Sequence, residues 1–104
     1  MKFACDIRSF IAQIPKTIAS IEDGKQLIRA SGSIGANYIE ANEALSKKDF
    51  LLRLKIARKE AKESRYWLNL ITIGGQESEQ THRALIKEAE ELQNILSAII
   101  TKST

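Results

Sequence analysis

The sequence predicts an all-α fold, an antiparallel up-down four-helix bundle, and three observations carry that prediction. Apolar residues return every three or four positions through four successive segments, the spacing that gathers them on one side of a helix. No stretch of any length alternates apolar and polar residues as a half-buried strand does. One Pro and five Gly in 104 residues leave little material for the turns of an all-β domain. Helices expected over residues 3–14, 16–45, 47–73 and 77–102, joined by short connections, close most simply as a bundle. The length suits one domain, 1–104, with a single core.

The first helix is read from Phe3, Ile7, Phe10 and Ile14, with Ala4 and Ile11 widening the stripe. Pro15 removes a backbone donor and disfavours a helical Ile14, so a break falls there. The second helix restarts at Pro15 or Lys16 and carries the rhythm on through Ile18 and Ile21. Glu22-Asp23-Gly24 is either a turn or a weak point within it. Its stripe resumes at Leu27, Ala30, Ile34, Asn37, Ala41 and Ala44. Asn37 falls in phase with the core, where one buried amide sets register or partner number at some cost in stability. Ser46 and Asp49 have the spacing of a helix cap and open the third helix. Phe50, Leu54, Ala57, Ala61, Ser64, Leu68 and Ile71 then run without a break until Gly74-Gly75 stops the helix, about 40 Å at 1.5 Å per residue. The fourth helix begins with the acids Glu77 and Glu79, which suit a helix N-terminus, and repeats through Leu85, Ala89, Leu92, Leu96 and Ile99. Ile86, Ile95 and Ile100 form a second apolar flank, broader than one bundle seam needs.

Composition bounds the function classes. Apolar residues make up 43% and charged residues 28%, which argues against disorder. Cys5 is alone, so no intramolecular disulfide and no cysteine metal cluster can form, and a reducing cytoplasm is the expected compartment. The N-terminal residues lack a signal-type apolar run, and no stretch approaches eighteen uncharged apolar residues, so neither secretion nor a membrane partner is expected. The net charge of +3 is uneven. Residues 46–75 hold eight basic and three acidic side chains, a local +5, while 1–45 balance and 76–104 carry −2.

A catalytic reading meets little support. His82 is the only histidine, and the Glu-x-x-His pairs of a di-iron bundle do not occur. Gly32-Ser33-Ile34-Gly35 lacks the Gly-Lys-Ser/Thr ending and the preceding strand of a phosphate loop. Glu40 and Glu43 stand three apart, but nothing nearby would activate an acid–base pair. No catalytic residue, metal or cofactor is expected.

Two stretches hold more specific information. Between Arg29 and Ala41 small residues take positions that a bundle fills with Leu or Ile. They either let helices pack closely within the monomer, or frame a polar cluster of Arg29, Asn37 and Glu40 between helices or subunits. On the third helix, Lys55, Arg58 or Lys59, Lys62 and Arg65 share a face by steps of three and four, and Lys48 extends it by one heptad. That face is either a solvated surface or a strip for nucleic acid, which needs clustered cations rather than a motif. Tyr66 and Trp67 adjoin it about 100° apart, so that one can pack while the other stays at the surface.

Residues 29–41 (RASGSIGANYIEA), 46–50 (SKKDF) and 59–68 (KEAKESRYWL) resemble the bacterial 23S rRNA intervening-sequence protein family. Pro15 after an amphipathic first helix also fits, and the likeness covers nearly the whole chain. The resemblance implies a four-helix bundle, with no established catalytic residues to carry over. It implies a homo-oligomer, a pentamer, as in relatives that include the accessory protein of diversity-generating retroelements. It also implies RNA or DNA as a partner, and a reverse transcriptase or another protein beside it. The combined expectation is a non-enzymatic oligomer that binds nucleic acid through Lys48, Lys55, Arg58, Lys59, Lys62 and Arg65. The alternative is a protein-interaction scaffold without nucleic-acid binding.

Overall fold

The computed structural model of the chain contains four helices: α1 (Lys2–Gln13), α2 (Ile18–Asn42), α3 (Lys47–Leu70) and α4 (Gln76–Ser103). The structure describes residues 1–71, 73 and 76–104, with backbone alone for 76 and 77, and holds no strand among them. The molecule measures 46 × 20 × 19 Å.

Side-chain pairings give the helix directions. Met1 lies against Gly35 and Ile11 against Gly24, so α1 and α2 run antiparallel. Arg29 meets Glu60 while Asn37 meets Arg53, which sets α3 antiparallel to α2. Arg58 meets Ser97 while Arg65 meets Glu90, which sets α4 antiparallel to α3. Phe10 stacks on His82 at 5.6 Å and closes α1 against α4. Helices α1 and α3, and likewise α2 and α4, sit diagonally across the bundle, with no close backbone approach between them among the described residues.

The core follows the apolar stripes. Phe3, Ile7, Phe10 and Ile14 are buried, as are Leu54, Ala57, Ala61, Ser64 and Leu68 on α3 and Ile71 just beyond it. From α4 come Leu85, Ala89, Leu96 and Ile100, with Leu92 and Ile99 packed at the edge. Gly24 sits inside a continuous α2 and makes no turn; a Cβ there would stand 3.4 Å from two carbons of Ile11. That spacing is ordinary van der Waals contact, so α1 and α2 pack closely at this point.

The helix ends differ from the sequence reading by more than one residue in three places, each for a local reason. Helix α2 begins at Ile18 because Thr17 caps it: its hydroxyl accepts from the Ser20 amide, and the Ser20 hydroxyl accepts from the Thr17 amide. That start turns Ile18 (86% exposed) and Ile21 (44%) outward, and Ser20 and Gly24 face inward instead. Helix α2 ends at Asn42 rather than 45, since Ser46 must be extended to cap α3, where its hydroxyl accepts from the Asp49 amide at 3.1 Å. Helix α3 stops at Leu70 rather than 73, with Ile71 extended and buried. The β-branched residues beyond Leu70 are weak helix formers, and burying Ile71 closes that end of the core. The expected Gly74-Gly75 stop lies outside the described residues.

Candidate nucleic-acid interface

The basic run of α3 divides among three faces of one helix. Lys48, Lys55, Lys59 and Lys62 are exposed. Together with Leu52 and Tyr66 they follow steps of four, three, four, three and four from 48 to 66. Those eighteen residues make five full turns, about 27 Å of helix, so the row runs straight along the outside of the bundle. Arg58 and Arg65 turn toward α4 instead: Arg58 donates to the Ser97 hydroxyl at 3.5 Å, and Arg65 pairs with Glu90 at 3.2 Å. Arg53 turns toward α2 and donates to the Asn37 side-chain carbonyl at 3.4 Å. Of the six sequence-predicted cations, four therefore share the outward face and two are engaged at its α4 border.

The acids of α3 leave the outward row clear. Glu60 is 6% exposed and Glu63 half-buried; both face α2, where one guanidinium, Arg29, donates to each at 2.9 and 3.1 Å. The hydrogen bond and charge of Glu60, then those of Glu63, push the Arg29 pKa above its ordinary value, holding it charged. Among the described residues, none of the ion pairs involves Lys48, Lys55, Lys59 or Lys62. These cations remain free for an external anion. Lys48, Leu51, Leu52 and Lys55 also line a shallow depression of about 410 Å³ with Ser46 and Asp49. At the other end of the row Tyr66 stands exposed, edge-on to Trp67 at 5.1 Å, and Trp67 packs against the core.

The structure separates Arg29, Asn37 and Glu40. Arg29 belongs to the Glu60–Glu63 network. Asn37 is half-buried and donates to the Ser33 carbonyl and hydroxyl at 2.9 and 3.0 Å. Glu40 is exposed, apart from both. Three residues outside that expected cluster, Glu60, Arg53 and His82, make contacts between helices. Glu60 stands three after Ala57 and four before Ser64, so its spacing marked it as inward-facing. Arg53 had no such signal. His82 stacks on Phe10 and its Nε2 donates to the Leu68 carbonyl near the end of α3, one of the groups a helix terminus leaves unpaired.

A second surface feature lies between α2 and α4. Beside Met1 and Gly35 an apolar groove of about 670 Å³ opens there. Met1, Tyr38, Ile39, Ile95, Leu96 and Ile99 are among its lining residues. No group of His, Cys, Asp or Glu among the described residues could hold a metal ion, and no helix is long and apolar enough to cross a membrane.

Comparison with known proteins agrees with this architecture. No curated protein matches the chain. A solved crystal structure of a protein of unknown function, from the S23 ribosomal protein family of Bacteroides thetaiotaomicron VPI-5482, superposes with a TM-score of 0.77 at 32% identity. The match covers 95% of this chain and 92% of that one. The family model described as 23S rRNA-intervening sequence protein matches residues 1–98. The chain therefore belongs to the 23S rRNA-intervening sequence protein family.

Proposed function

We propose that this protein is a non-enzymatic, cytoplasmic, self-associating bundle that binds RNA through the outward lysine row of α3. One observation carries the reading: Lys48, Lys55, Lys59 and Lys62 share a straight exposed face without acid partners, while Glu60 and Glu63 are drawn inward by Arg29. Unpaired lysines along a helix attract phosphate without any sequence motif. In a ring of copies, such as a pentamer, the rows would sum to a strong collective field.

Reversing Lys55, Lys59 and Lys62 to Glu is the direct test. The fold should survive, because all three are exposed. RNA affinity should fall below detection, and replacement by Ala instead should flatten the log–log salt dependence by about two to three units, since each phosphate contact contributes about 0.7–0.9. Filter binding or fluorescence anisotropy across a salt series reads both. A wild-type chain that fails to bind structured RNA at low salt would defeat the reading and leave the protein-interaction scaffold.

Self-association is read from the groove between α2 and α4. Contiguous exposed apolar surface on a soluble protein marks an interface, and Ile95 (55% exposed) and Ile39 (64%) project there. The occupant we assign is a second copy of this chain. Ile95→Lys should therefore shift the mass in light scattering toward the monomer while leaving the helical circular dichroism unchanged. A wild-type chain already monomeric at micromolar concentration would overturn this part.

A further inference from the structure

We infer that Tyr66 is a base-stacking platform at the end of the lysine row, and that the segment of RNA taken there is unpaired. The inference rests on the reading of the lysine row as a phosphate track and adds the form of nucleic acid it accepts. Tyr66 lies four residues after Lys62 and eighteen after Lys48, on the same line along α3. Tyr66 is 57% exposed in that position, and its ring stands at 73° to that of Trp67, which packs against the core. An exposed aromatic surface is thus presented beside four cations that join no ion pair among the described residues.

An exposed aromatic surface next to a phosphate track suits bases whose faces are free. In a duplex both faces of each base are already stacked, so a side chain at the rim reaches only backbone and groove edges. In a loop, bulge or tail the base can swing out and lie on the ring while its phosphates meet Lys59 and Lys62. Leu52, about 21 Å back along the helix at 1.5 Å per residue, offers a second apolar seat in the depression between Lys48 and Lys55. Folded RNA presents unpaired bases routinely, whereas DNA is chiefly duplex, which selects RNA as the source.

Four probes test this with the full chain: a single-stranded uridine 12-mer, a blunt RNA duplex with the same number of phosphates, a deoxythymidine 12-mer and a blunt DNA duplex. The uridine strand should bind more tightly than either duplex. Tyr66→Ala should weaken uridine binding about 5- to 150-fold, equivalent to about 1–3 kcal/mol at 1.4 kcal/mol per tenfold, and leave RNA-duplex binding within about twofold. Tyr66→Phe should bind as the wild type, which separates stacking from a hydrogen bond through the phenol. Equal losses on strand and RNA duplex, or no loss on either, would overturn the platform while the lysine row stands. Tighter binding of the deoxythymidine strand would overturn the assignment to RNA. Absence of binding to all four probes at low salt would overturn the lysine reading and this inference together.

Discussion

Replacing Arg29 with Leu is expected to destabilise the fold by about 1–3 kcal/mol, the usual result when a buried polar group loses its partner. Arg29 is half exposed, but the carboxylate it satisfies is not: the side chain of Glu60 retains only 7% exposure. With Arg29 gone, Glu60 must either stay charged without a partner, take a proton, or drag water into the α2–α3 seam. Removing both charges is a different operation. Arg29→Leu combined with Glu60→Leu should recover most of the loss, since replacing both partners of a buried pair by apolar groups is often close to neutral. Urea unfolding of the two single variants and the double variant measures the coupling. A single-variant midpoint equal to wild type would mean that water takes over the role of the guanidinium.

Leu54→Ala should have a still larger effect, about 2–5 kcal/mol. Leu54 has no exposure and packs in the central cluster with Leu27, Ile34 and Leu96. Its neighbours on α3 are Ala57 and Ala61, so little side-chain volume can move in to fill the space. Against a total stability of about 5–15 kcal/mol, such a loss lowers the melting temperature by roughly 10–30 °C for a domain of this size. Thermal unfolding followed by circular dichroism checks it. The same truncation at Leu52, two residues away and 53% exposed on the opposite face, should move the melting temperature by only a few degrees. The contrast between the two leucines tests which side of α3 faces the core.

Much of the fold was legible because burial imposes a period on the chain. Phe3–Ile7–Phe10–Ile14 and Leu54–Ala57–Ala61–Ser64–Leu68 are buried as their spacing required. Where the pattern failed, a local hydrogen bond overruled it. The cap at Thr17 turned Ile18 and Ile21 to solvent, and the cap at Ser46 shortened α2. Periodicity records which residues are apolar, but a helix begins where its first amides find acceptors.

The candidate site was legible to a lesser degree. Counting cations placed the positive charge on α3, and helical steps set Lys48, Lys55, Lys59 and Lys62 in line. The arginines among them could not be sorted, because their long side chains reach whichever neighbour offers an acceptor. Ser97 and Glu90 lie 39 and 25 residues away from Arg58 and Arg65, and only packing brings them close. The same holds for Arg29 with Glu60 and Glu63. Each residue stands in a stretch that marks the family, but their meeting is a fact of the α2–α3 seam.

By itself the sequence determined the four helices, the main core stripes and the family, since all three rest on residue types at fixed spacing along one chain. The tertiary structure alone decided which charges are spent on one another and which remain free. It also decided that an apolar groove opens between α2 and α4, and that Trp67 goes inward while Tyr66 stays on the lysine row. Those outcomes depend on contacts between helices far apart in sequence, where no local spacing carries the information.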